Sequence, residues 1–157
     1  MKNSIPLKLF ALIGLAVFMF NSCAAIRTAP FDQYSYQKAV EIKVDASRLM
    51  DKAITPYQDH SQEIADLFVD VEKITVYEKD KPNNGISYQM WKLLSDDDKN
   101  LLAGFFKNWK EKGKFSQVFL KESKNQVVEA MDILIQYEGK KDKKSENSLM
   151  NIILDNQ

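Results

Sequence analysis

Residues 55–74 read TPYQDHSQEIADLFVDVEKI. Tyr57, His60, Ile64, Leu67, Val71 and Ile74 recur at steps of three and four with Phe68 beside them, which lays one apolar stripe along a helix. Thr55, Pro56 and Gln58 have the spacing of a capping box with proline at the first helical position, so the stretch predicts a helix opening at Thr55. Nowhere in the chain do β-branched and polar residues alternate over the length of a strand. The protein is therefore read as all-α, and the flanking stretches show the same period.

Towards the N-terminus, Ala39, Ile42, Ala46, Leu49 and Ala53 form a second stripe between Asp32 and Ile54. Its alanines fall at every seventh position, which lets a neighbouring helix come close. Towards the C-terminus, Pro82-Asn83-Asn84-Gly85 is turn chemistry, and Ser87 is placed to cap a short helix through Leu94. Ser95-Asp96-Asp97-Asp98 predicts the opening of a third long helix, with three acids at its positive end, carrying Leu101, Leu102, Phe105, Phe106 and Trp109 to Gly113. Phe115, Ser116 and Leu120 have the spacing of a hydrophobic staple for a fourth helix, which continues through Val127, Val128, Met131, Leu134 and Ile135 to a stop at Gly139. Short connections between long amphipathic helices favour antiparallel neighbours, so residues 32–139 are expected to form an up-down four-helix bundle with one short extra helix. Residues 140–157 read as a lysine-rich tail whose apolar end, capped by Ser148, has the makings of a short docking helix.

Lys plus Arg and Asp plus Glu each number 22, a balance that offers no overall attraction to nucleic acid. A composition of 45% hydrophobic and 28% charged residues is that of a folding chain rather than a disordered one. The sequence lacks a nucleophile elbow, a glycine-rich phosphate loop and a His-Glu-x-x-His pair. His60 is the only histidine and sits on an apolar stripe, where a packed helix-end role is expected. Asp59, Glu63, Asp66 and Asp70 share one helix face about 100° from the stripe. A row on one helix offers ligands from a single direction, whereas Ca²⁺ takes six to eight oxygens around it, so the row is read as solvated or partner-facing and not as a metal site. Lys107 and Lys110 make the third long helix partly basic, and opposite rows of this kind either fix two helices against each other or meet a charged partner.

Lys2 and Lys8 precede an uncharged run from Leu9 to Phe20, and Asn21, Ser22, Cys23, Ala24 and Ala25 follow. A positive end, a short apolar run and small residues make the layout of a cleaved secretory signal, and the run is too short for a membrane span of about 20 residues. The stretch ending in Cys23 resembles the lipobox of bacterial lipoproteins, with Phe20, Asn21 and Ser22 where the common form has Leu-Ala-Gly. The resemblance covers residues 1–23. It implies cleavage behind Ser22 by signal peptidase II, acylation of Cys23 and, because Ala24 stands where some lipoproteins carry aspartate, the outer rather than the inner membrane. A buried free thiol is the other reading of a lone cysteine. Residues 1–22 are then a signal peptide and 23–31 a lipidated tether.

The expected function is that of a membrane-anchored, non-catalytic helical domain that binds another cell-envelope component, most simply a protein, without cofactor, metal or nucleic acid. The alternative is a small-ligand or metal-binding carrier using the interior near Trp91 and Tyr88 or the acidic face. A hydrolase would need two inward carboxyls facing each other.

Overall fold

The computed structural model describes residues 28–156, so the leader, its proposed cleavage site and Cys23 lie outside the described residues. Within them the chain is all-helical: α1 (Gln33–Asp51), α2 (Ser61–Asp80), α3 (Gly85–Ser95), α4 (Leu102–Lys112), α5 (Gln117–Lys140) and α6 (Lys143–Asp155), with 3₁₀ turns at Lys52–Ile54 and Tyr57–His60. No described helix is long and apolar enough to cross a membrane.

The Asp32 carboxylate opens α1 by accepting from the Tyr34 amide at 3.0 Å. The predicted stripe faces inward: Ala39, Ala46 and Ala53 have no exposed surface, and Ile42 and Leu49 are buried with them. This face packs on α5, which runs antiparallel to α1, because Lys43 pairs with Asp132 while Asp51, two turns on, pairs with Lys124. α2 also packs antiparallel to α1, with Lys52 beside Glu63 at one end and Asp32 beside Tyr77 at the other. α3 packs on α2, α6 lies against α5 and α3, and α4 fills the end where α3 and α5 diverge. One continuous core results, with Trp91, Trp109, Leu94 and Leu134 wholly enclosed.

Several predicted boundaries move, each for a tertiary or local hydrogen-bonding reason. Thr55 does not cap α2. Its hydroxyl donates to the Lys52 carbonyl at 2.6 Å, its own carbonyl accepts from Trp109 Nε1 at 3.0 Å, and α2 begins only at Ser61. The Tyr57 amide donates to Gly113 O and the Phe115 amide to Ala53 O, so the α1–α2 connection is sewn to the α4–α5 connection. The short helix expected before the third is α3, but the third does not open at Ser95–Asp98: a turn intervenes and α4 starts only at Leu102. Ser95 ends α3 by donating to Trp91 O, and the Asp96 carboxylate accepts from the Asp98 amide two residues on, a local bond that competes with helix. α3 opens at Gly85 rather than Ser87, and Ser87 is buried.

Gly113 does stop α4, with φ of +76° that suits glycine, and Ser116 caps α5 by accepting from the Phe119 amide. Gly139 lies inside α5 instead of closing it. A β-carbon there would sit 3.2 Å from the Tyr36 ring of α1, and Lys141 takes the left-handed position that ends the helix. Asp142, not Ser148, caps α6, accepting from the Ser145 amide at 2.8 Å, and Leu149 and Ile153 seat the helix on the core. Residues 140–157 are therefore largely an integral helix rather than a solvated tail.

Candidate functional site

Helix α2 separates the charged residues singled out from the sequence. Glu63, Asp66 and Asp70 rim a groove of about 420 Å³ on its α1 side, together with Asp45, Arg48 and Lys52. Asp59 stands apart, exposed on the 3₁₀ turn. Lys52 donates to both Glu63 oxygens at 2.9 and 2.6 Å and, with His60 Nδ1 at 3.1 Å, holds the Glu63 carboxyl below its usual range. Asp66 accepts from Gln62, and the Lys73 ammonium at 2.8 Å keeps Asp70 low. Three of the four carboxylates thus have local partners on the surface. His60 closes the corner, with Nε2 2.9 Å from the Thr55 hydroxyl and its ring 5.7 Å from that of Trp109.

Lys107 and Lys110 line a different groove, of about 730 Å³, on the α4 side of α2, floored by Ile64, Phe68 and Phe106. Lys107 pairs with Asp98 at 2.8 Å and Asp97 at 3.6 Å. Glu63, Asp66 and Asp70 therefore line a different groove from Lys107 and Lys110, and each side has its own ion pairs, with Lys52 and Lys73 on one and Asp97 and Asp98 on the other. Among the described residues, Asp96, Asp97 and Asp98 are the one group of three carboxylates close enough to share a cation, and Lys107 already neutralises two of them.

A second cluster lies at the end where Ala29 enters, its amide donating to Asn83 O at 3.1 Å. Glu78 at the end of α2 and Glu138 at the end of α5 have fully enclosed side chains. Asn84 Nδ2 donates to Glu78 Oε2, and the Ser87 hydroxyl donates to Glu138 Oε1. The Lys141 ammonium, itself 5% exposed, lies 2.7 Å from Glu138 Oε2 and 4.3 Å from the centre of the Tyr137 ring. Lys81 bridges Asp32 at 3.0 Å and Glu78 at 4.0 Å, and the Tyr77 hydroxyl donates to Asp32 at 2.6 Å. With Lys141 also donating to Asn84 Oδ1 at 3.4 Å, one polar network joins the ends of α1, α2, α3 and α5, while Glu78 Oε1 and the Tyr137 hydroxyl are buried without a partner among the described residues.

Burial pushes the Glu78 carboxyl up, and the nearby charge of Glu138 adds to this against the pull of Ser35, Lys81 and Lys141. Burial pushes the Lys141 ammonium down, opposed by Glu138. Partial burial would raise Asp32, but hydrogen bonds from Tyr77 and Lys81 overcome it and hold the carboxyl well below its usual range. The same bond pushes the Tyr77 hydroxyl up to about 12. Glu78 and Glu138 are the inward carboxyls a two-acid hydrolase would require, yet with at most 1% of either residue exposed neither reaches a substrate in this conformation.

None of this cluster was singled out from the sequence. A signal existed: Glu78 follows Ile74 by four residues and Glu138 follows Leu134 by four, so each acid occupies the next position of an apolar stripe. A charge at such a position is buried with its partners or breaks the stripe. Trp91, considered as a ligand-stacking ring, is enclosed in the core. Comparison of the chain with protein-family models, curated proteins and solved structures finds no match.

Proposed function

We propose that the chain is a bacterial lipoprotein, anchored through acylated Cys23 to the membrane, preferentially the outer one, whose helical domain is a non-catalytic adaptor for another envelope component, most simply a protein. The scaffold is read as an up-down bundle of α1, α2, α3 and α5, with α4 as an end cap and α6 as an added strut. One observation carries the adaptor reading: the carboxyls of Glu78 and Glu138 are enclosed, with Asn84, Ser87 and Lys141 against them, so what the domain offers other molecules is its surface. Val118 is 69% exposed there and Leu154 56%. Mass spectrometry of protein extracted from membranes is expected to find the lipid on Cys23 at the new N-terminus, and Cys23→Ala to accumulate precursor. An unmodified Cys23 thiol would overturn the anchor. Photo-crosslinking from surface positions in the native envelope tests the adaptor role, and adducts from none of them would reject it.

The carrier alternative draws support from the α2–α4 groove, whose volume and apolar floor fall in the range of small-molecule sites. An amphipathic anion would place its charge at Lys110 and its apolar part on Phe68 and Phe106. Calorimetry with decanoate, expected to lose its heat in Lys110→Glu, separates this reading from the first.

A further inference from the structure

The end of the molecule opposite Ala29 carries cationic and apolar groups that the fold does not use. Seven lysines stand between Lys99 and Lys124 against Glu111 and Glu122. Lys107 and Lys124 are engaged by Asp98 and Asp51. Lys110, Lys114 and Lys121 are exposed and pair with no described residue. The Lys112 ammonium rests 4.2 Å from the centre of the Phe119 ring. Beneath that ring a cleft of about 240 Å³ opens between α4 and α5, floored by Phe105 and Phe115 and rimmed by the amides of Asn100, Asn108 and Gln126. Val118, the most exposed large apolar side chain among the described residues, lies on another face of α5, where it lines a separate groove with Lys121, Lys124 and Asp51.

We infer that this end docks an acidic, extended segment of a partner protein: one apolar side chain enters the α4–α5 cleft, and the segment's carboxylates pair with Lys112, whose ammonium sits over the Phe119 ring that lines the cleft, and with Lys114 beside Phe115 in the chain. The inference rests on the envelope-adaptor reading and adds where, and on what chemistry, the adaptor acts. Charge complementarity selects an anionic occupant. Side-chain amides both donate and accept, which matches the alternating groups of a peptide main chain. A lipid surface would use the lysines but leave the amide-rimmed cleft idle. The site also faces away from the tether, since the 24 residues of α5 span about 36 Å from the Ala29 end.

The test uses the full-length protein in detergent, titrated with a labelled peptide of Glu-Glu-Phe repeats, with a Lys-Lys-Phe peptide as control and vesicles of phosphatidylcholine and phosphatidylglycerol as the competing surface. The acidic peptide is expected to bind. Lys112→Glu/Lys114→Glu and, separately, Asn108→Ala are each expected to weaken it about tenfold, with circular dichroism confirming that both variants fold. Equal binding by the double variant, or lysine-dependent binding to the vesicles without binding to the peptide, would overturn the inference. A photo-crosslinker at Gln126, on the rim of the cleft, and another at Met150 in the native envelope separate the two levels. Adducts from Gln126 support the docking end, and adducts from Met150 alone leave the adaptor role standing while removing this site. Adducts from neither remove both.

Discussion

Gly104 stands where a β-carbon would fall 1.7 Å from the backbone carbonyl oxygen of Lys99. That oxygen belongs to the turn between α3 and α4, so relief requires moving backbone and not a flexible side chain. Gly104→Ala is expected to destabilise the protein by about 3 kcal/mol, at the upper end of overpacking penalties, measurable by urea denaturation. Glu138 illustrates the opposite error, removal. Glu138→Ala leaves the Lys141 ammonium enclosed without its carboxylate, and breaking a buried pair in this way costs about 3–5 kcal/mol. At Glu78 the sign depends on pH. Its carboxyl is raised in the folded state, so its contribution is complete below the ordinary value of 4.5 and is lost as pH rises through the raised one. The melting temperature of Glu78→Gln is therefore expected to gain on that of the unsubstituted protein between pH 5 and 8, and a constant difference would refute the shift. Asp32 acts in the other direction, because its lowered carboxyl contributes above 3.8 and fails only as pH falls towards its depressed value.

At the scale of elements, the connections are where local preference and tertiary demand compete. α6 shows tertiary demand at work: thirteen residues with a lysine-rich first turn form a helix too short to persist alone in water, so packing against α5 and α3 must stabilise it. Leu149→Ala is expected to cost about 2–5 kcal/mol, as for other wholly enclosed leucines. Hydrogen exchange should report the loss chiefly in Lys143–Asp155, because the break frees that helix before the rest unfolds. Exchange that accelerates evenly across α1 to α6 would show instead that α6 belongs to the same cooperative unit as the other helices. The acidic face of α2 behaves differently. Its pairs with Lys52 and Lys73 lie on the surface, where water and salt screen them, so they hold side chains in place more than they stabilise the fold.

At the scale of the whole molecule, the two ends differ in character. The end that receives the chain at Ala29 encloses Glu78, Glu138 and Lys141, and the far end leaves lysines and Val118 in solvent. On the proposed reading, this places a closed face near the anchor and an open one away from it. Made without residues 1–23, the part from Ala24 onward is expected to melt cooperatively with a helical circular dichroism spectrum, since one core joins all six helices. A broad, non-cooperative melt would count against a single unit.

The apolar period, read residue by residue, was enough to establish an all-helical chain, the inward faces of α1 and α2 with Ala39, Ile64 and Val71, and the ends at Gly113 and Ser116. Those features depend on hydrogen bonds and side chains within about a turn of each other, and that range is written in sequence order. The start of α2, the turn that delays the third expected helix to Leu102, the seating of α6 and the enclosed carboxyls of Glu78 and Glu138 were decided by the tertiary structure. The distances along the chain say why: Trp109 reaches back 54 residues to Thr55, and Ser87 reaches 51 ahead to Glu138. The acceptor of a buried hydrogen bond is chosen by which helices become neighbours, and only the folded chain makes that choice.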